Sequence, residues 1–287
     1  MSNDAARQPS SIELGRRAVR RQDSRRSIVT SIVSTLVFAA VVVLTLSLSP
    51  GWPKVRDSFF SLGTAAEAWP RVAEGFLINL RVLGYSVITV SIFGMLLALL
   101  RTVRGAVFFP VRAVATGYTD LFRGTPLIVV LYLVGFGIPG LQGSSGVIIP
   151  VEVLGTIAIT LTYSAYVSEV LRAGIESVHP SQRLAARSLG LTHAQSMRVV
   201  IIPQAIRKVT PALMNDFVSM QKDVGLISIL GAVDAIRAAR IETSHAFNFT
   251  PYVLAGLLFV LLAIPTIRLT DWYTARLRRR EQMGAIV

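Results

Sequence analysis

The chain predicts an all-α, polytopic membrane helical bundle with six transmembrane helices, and three observations carry that expectation. Hydrophobic residues make up 52% of the 287 residues, charged residues only 16%, and the mean hydropathy is +0.58. A soluble globule of this length needs more polar surface. Runs with few or no charges recur, each near the ~20 residues a helix needs to cross ~30 Å of hydrocarbon. The basic residues, 29 Lys and Arg against 16 Asp and Glu, gather at the ends of those runs.

In order, residues 1–27 are polar, with Arg7, Arg16, Arg17, Arg20, Arg21, Arg25 and Arg26, and read as a cytoplasmic tail with room for a short interfacial helix from Ile12 to Arg21. The charge-free run 28–48 is longer than the apolar part of a signal peptide and reads as an extra, uncleaved membrane helix. Residues 49–74, containing Pro and Trp with balanced charges, read as an extracytoplasmic loop. Within 75–275 five further spans are predicted at about 76–100, 111–138, 147–171, 204–230 and 252–273. Residues 139–146 form a Gly/Ser/Pro linker, and 276–287 a basic cytoplasmic tail with Arg276, Arg278, Arg279 and Arg280.

Six spans place both termini on one side of a cell membrane, and charge decides which. Arg101, Arg104, Arg112, Arg172, Arg183, Arg187, Arg198, Arg207 and Lys208 join the arginine-rich termini on that side, against Lys54, Arg56, Arg71, Arg237 and Arg240 on the other. The positive-inside rule makes the richer side cytoplasmic. The loop at 181–203 falls there.

Composition also excludes chemistry. Without cysteine there is no disulfide, thiolate site or Cys nucleophile. His179, His193 and His245 lack metal-ligand spacing, so neither a metal nor a catalytic residue is expected. The basic residues form no stripe interleaved with aromatics, so nucleic acid is not a partner; the lipid bilayer is. None of the three lysines, Lys54, Lys208 and Lys222, follows a glycine in a phosphate-binding loop, so the chain is not expected to be an enzyme or to bind a cofactor.

Charges inside the spans need a reason, because hydrocarbon penalises them. Arg123 stands before the turn-forming Gly124-Thr125-Pro126 and either meets a substrate carboxylate or pairs with Asp120 or Glu169, pairing being favoured. Asn215, Asp216, Gln221, Lys222 and Asp223 crowd the fifth span. Asn215 and Lys222 are seven apart and Gln221 is adjacent, so one helix face is a candidate path lining, with Lys222 and Asp223 as mere end markers the competing reading. Arg123, Glu169, Asn215, Gln221, Lys222 and Asp223 are thus the candidate path residues.

The polar loop carries the strongest signal. Pro180-Ser181-Gln182 starts a helix, Gly190 stops it, and Thr192 caps a second short helix to Ile201. Ala185 and Ala186 make a surface that a groove on another protein can approach closely.

The spacing of Ala185-Ala186, three residues, Gly190, nine residues, then Val200-Ile201-Ile202-Pro203 resembles the EAA loop of ABC importer permeases, written EAA-x3-G-x9-I-x-L-P. AYVSEVLRAGI at 165–175, YTDLFRGTPLIVVLYLVGFGIP at 118–139 and PQAIRKVTPALMNDFVSMQKD at 203–223 look like the polar amino-acid permeases of that group, so the likeness spans about 75–275. It implies a five-helix type I importer core behind one extra helix, paired with itself or a sister permease. Two ATP-binding subunits holding ATP-Mg and an extracytoplasmic amino-acid-binding protein would complete the transporter. Gln182, Leu184, Ala185, Ala186, Gly190 and Pro203 are then the ATPase-docking residues. Two departures stand out: Leu184 occupies the acidic position that names the loop, and Val224-Gly225 follows Lys-Asp where the group often has Thr-Ser. An ion-coupled secondary transporter is the alternative, and a membrane enzyme a weaker one, but neither needs such a loop.

Overall fold

The computed structural model describes the backbone of residues 11–103, 105–142 and 148–284, and the side chains of 26–103, 105–141 and 148–277. Arg7, Arg104, residues 143–146 of the linker, residue 147 and the side chains of Arg16 to Arg25 and of Arg278 to Arg280 lie outside that description. Among the described residues there is no strand, and the chain divides into two units, Met1–Asp57 and Ser58–Val287.

The first unit carries α1 (Ser11–Ser47) and most of α2 (Trp52–Phe59). The tail is therefore helical from Ser11 onward. Nothing between Arg21 and Ile28 is a proline or glycine, so the short polar helix and the apolar run join without a break. From Arg26 to Ser47 the side chains of α1 are exposed.

The second unit is built on α3 (Leu62–Thr102) packed along α6 (Val151–Glu176). Ser61 caps α3, its Oγ accepting from the Thr64 N–H at 3.3 Å. The helix thus starts well before residue 76, and the predicted loop is shorter than 49–74. The linear reading missed this because Glu67, Arg71 and Glu74 interrupt the apolar pattern, yet Ala68 and Val72, four apart, are buried against Ala235, Ala238 and Ala239 of α10 (Ala235–Ala246).

The predicted span 111–138 is broken. α4 (Phe109–Gly124) and α5 (Leu127–Gln142) meet at 107°. Thr125 between them is extended (φ −101°, ψ 127°), since the ring of Pro126 bars the preceding residue from helical geometry. α5 also runs through Pro139 into the predicted linker. After α6 come α7 (Pro180–Ser188), α8 (His193–Ser196), a π turn at Met197–Ile201, α9 (Ile202–Asp223), a 3-10 segment to Leu230, then α10 and α11 (Thr250–Gly284).

The main core gathers Val82, Leu83 and Val90 of α3, Val130, Leu131 and Val134 of α5, Leu154, Ala158, Ile159 and Tyr163 of α6, Met220 of α9, and Val224 and Ile227 beyond it. Among the described residues four helices are long and apolar enough to cross a membrane, and the bent α4–α5 pair makes a fifth crossing at most. α9 does not meet that measure, because Arg207, Lys208, Asn215, Asp216, Lys222 and Asp223 dilute it. The expected count of six is not reached on apolarity alone.

Candidate functional site

The loop between α6 and α9 is built by local capping. The His179 Nδ1 accepts from the Ser181 N–H at 3.2 Å, and Pro180 occupies the first helical position, where its missing N–H costs nothing. α7 ends at Ser188 with Leu189 as its cap, and Gly190 follows with a φ of +78°, in the left-handed region that only glycine enters freely. Thr192 and Gln195 then form a reciprocal capping box, with Gln195 N–H to Thr192 Oγ1 at 3.3 Å and Thr192 N–H to Gln195 Oε1 at 2.9 Å.

The second short helix does not stop at Ile201. It passes through the π turn into α9, with Pro203 in the first turn of that helix. The Ile202 N–H reaches back to Met197 O, five residues away, a widened register that leads into the position where Pro203 has no N–H to give. Loop and long helix are one covalent lever.

The two alanines separate. Ala185 is exposed, whereas Ala186 is only 3% exposed and faces inward, so it sets how closely α7 lies on its own bundle instead of offering a contact outward. Outward stand Gln182, Leu184 (64% exposed) and Leu189 (81%). Beneath the loop, Val178, Ile201 and Ala205 form a small core with Ile175, Met197 and Val200 around it. Arg183 Nη2 and Lys208 Nζ cap the C-terminal end of α6, donating to Ile175 O and to Ser177 O of the capping residue, each at 2.9 Å.

Glu169 is the centre of an ionic knot. Its carboxylate takes Arg101 at 2.7 Å, Arg172 at 2.5 Å and Arg123 at 3.7 Å. Arg101 is only 8% exposed. Of the two pairing partners posed for Arg123, Glu169 stands within 3.7 Å, and no ion pair with Asp120 is present among the described residues. α3, α4 and α6 are stapled there.

A different set of side chains forms the polar pocket. About 310 Å3 is enclosed by Leu127, Thr162, Tyr163, Tyr166, Asp216, Ser219 and Asp223. The Tyr163 hydroxyl donates to Asp223 Oδ2 at 2.7 Å. Asp216 Oδ2 and Thr162 Oγ1 are buried and have no hydrogen-bond partner among the described residues. Buried polar atoms normally find one, and both of these belong to residues that line the cavity. The lining holds two carboxyl groups and no cationic side chain.

Of the candidate path residues, only Asp223 lines this pocket. Asn215 and Lys222 are exposed and share a face as their spacing required. Gln221 does not join them: one residue is 100° of rotation, and that turn buries Gln221 toward α11, its Nε2 donating to Thr266 Oγ1 at 3.1 Å. Sequence reasoning missed Thr162, Tyr163, Tyr166 and Ser219 and did not select Asp216. The signal existed. Asp216, Ser219 and Asp223 fall at i, i+3 and i+7, a single helical stripe.

Partway along α3 a second polar knot went unread. Asn79 and Asp234 are fully buried. Asn79 Nδ2 donates to Asp234 Oδ2 at 3.0 Å and Val224 O at 3.1 Å, and its Oδ1 accepts from the Ala235 N–H at 3.1 Å. Burial raises the Asp234 carboxyl above the usual carboxylate range, opposed by its bonds to Asn79 and to the backbone ahead of it. Gly75 lies against this corner so closely that a Cβ there would sit 2.5 Å from the Asp234 carbonyl carbon.

A helical membrane protein with a capped loop levered onto a polar helix, and a charged pocket beside that helix, has the parts of a transport permease. The chain belongs to the family of binding-protein-dependent transport system inner membrane components, whose signature matches residues 90–279. It is 33% identical over 196 residues to the arginine transport system permease protein of Bacillus subtilis, covering 68% of this chain and 87% of that one. It is 36% identical over 197 residues to a putative glutamine transport system permease protein of Rickettsia felis, covering 67% and 86%. A solved amino acid ABC transporter with histidines aligns at TM-score 0.66 and 35% identity over 74% of this chain and 96% of that one. The bacterial alginate ABC transporter shares the fold at TM-score 0.59 and 13% identity, over 91% and 97%.

Proposed function

We propose that this chain is the amino-acid-conducting permease subunit of an ATP-driven importer, with α9 completing six spans and both termini in the cytoplasm. The family and the names of its relatives support the class, and the charge asymmetry supports the orientation. Two partner ATP-binding subunits would hold ATP-Mg, a second permease would complete the pathway, and an extracytoplasmic binding protein would deliver substrate. The chain itself binds no cofactor in this reading.

The single observation that carries the coupling mechanism is the continuity of α8, the π turn and α9. A push on the exposed side of α7, at Gln182, Leu184 and Ala185, passes through the Gly190 turn into a helix whose other half bears Asp216, Ser219 and Asp223. Rigid-body motion of such a lever alternates access to the pocket. The pocket carboxylates suit the ammonium group every amino acid carries, and having two of them favours a substrate with a second positive charge.

The test is reconstitution of the chain with ATP-binding and binding-protein subunits, followed by uptake of labelled cationic, neutral and acidic amino acids. ATP-dependent uptake supports the reading. Transport by the purified chain without any ATPase overturns it.

A further inference from the structure

At the end of the bundle that bears α7 and α8 lies a larger cavity of about 770 Å3, with no part in the pocket between α6 and α9. Its basic lining converges from three elements: Arg101 at the end of α3, Arg112 in the first turn of α4 and Arg183 on α7, with the imidazole of His193 beside them. Each guanidinium is pinned by one terminal nitrogen. Arg101 Nη1 holds Glu169 at 2.7 Å, Arg112 Nη1 holds Val103 O at 3.0 Å and Gly105 O at 2.8 Å, and Arg183 Nη2 holds Ile175 O. The other terminal nitrogen of each has no protein acceptor among the described residues. The acid in the lining, Glu176, is engaged by Arg172 at 2.6 Å, so the cavity keeps an excess of positive charge.

Two further features point to the ligand. α3 and α6 both run out at this cavity, at Thr102 and Glu176, so it sits where apolar helices leave the hydrocarbon. The same lining also presents Leu99, Ile175, Met197 and Ile202. A soluble anion has no use for that apolar half; a phospholipid does.

We propose that this cavity binds an anionic phospholipid, its phosphate on Arg101, Arg112 and Arg183 and its first methylenes on the apolar side. Pre-set guanidinium forks match phosphate oxygens in geometry and charge, and basic pockets between helices at headgroup level are the usual form of such sites. Because Arg183 and His193 belong to the α7–α8 loop, occupancy ties the loop's position to the charge of the surrounding leaflet.

The experiment is native mass spectrometry of the purified full chain, with whatever subunits accompany it, after exchange into mixed phosphatidylcholine and phosphatidylglycerol. The readout is bound lipid mass, so a failure of the transport assignment leaves it unaffected. The expected result is retained phosphatidylglycerol in preference to phosphatidylcholine, not displaced by inorganic phosphate. The double variant Arg112→Gln and Arg183→Gln should lose about five-fold in apparent affinity for phosphatidylglycerol per arginine removed, read from a lipid titration, with Arg112→Lys, Arg183→Lys intermediate. Equal retention of both lipids by the wild-type chain, which needs no variant to fold, overturns the proposal. So does displacement by inorganic phosphate, or lipid lost whenever ATP-binding subunits are present, which would mean that a partner's acidic side chains fill the cavity.

Discussion

Tyr163 on α6 donates its hydroxyl to Asp223 at the end of α9 across 2.7 Å, tying the helix at the centre of the bundle to the helix that continues from the loop. A phenol on a carboxylate is a charge-assisted bond, and its removal strands an acceptor at the rim of the polar pocket.

Tyr163→Phe should therefore cut the uptake rate by about ten-fold, the equivalent of one such bond, while the protein still assembles with its partners. Uptake in proteoliposomes against a pull-down of the ATP-binding subunits separates the two effects. Unchanged uptake would show that the bond is structural only.

Asp216→Asn should abolish uptake with little loss of stability, because it keeps the shape of the pocket and removes a carboxylate oxygen that no protein group satisfies. Asn215→Leu, on the exposed face, should do less. Substrate-dependent protection from thermal unfolding, compared for the two variants, ranks them; a larger effect at Asn215 would move the path to the Asn215 and Lys222 face.

Glu169→Gln should destabilise the fold by about 2–4 kcal/mol, since Arg101 would stay buried without a counter-charge. The melting temperature in detergent reports it. Arg123→Gln, at the longer 3.7 Å contact, should cost much less.

Gly190→Pro should uncouple ATP hydrolysis from transport, because proline is fixed near φ −65° and the turn needs +78°. ATPase activity without substrate accumulation is the expected signature. Leu184→Glu should be tolerated, as Leu184 projects outward and the change buries no charge; loss of complex assembly on gel filtration would show that a partner's apolar groove needs the leucine.

Asn79→Leu should cost about 1–3 kcal/mol for each group it strands, namely the Asp234 carboxyl, the Val224 carbonyl and the Ala235 N–H. Gly75→Ala acts on the same corner through sterics alone. Unfolding followed by tryptophan fluorescence compares the two variants, and both should fall well below a surface control such as Lys54→Ala.

The membrane class, most of the spans, the capped loop and the glycine turn were legible in the chain because each rests on local physics. A bilayer demands a run of apolar residues, a helix end demands a cap, and a left-handed turn demands glycine. Apolar length alone draws one run through residues 111–138, and the turn-forming Gly124-Thr125-Pro126 marks where the helix bends by 107°. Tertiary structure decided the remainder. Whether Ala186 faces out or in, whether Arg123 meets Glu169 or Asp120, and whether Gln221 shares a face with Lys222 depend on which helix lies alongside, and helices distant in sequence set that. The polar pocket and the Asn79–Asp234 clamp arise only where such helices cross, so single hydroxyls and amides, inconspicuous in a run of apolar residues, acquire their roles from partners up to 156 positions away.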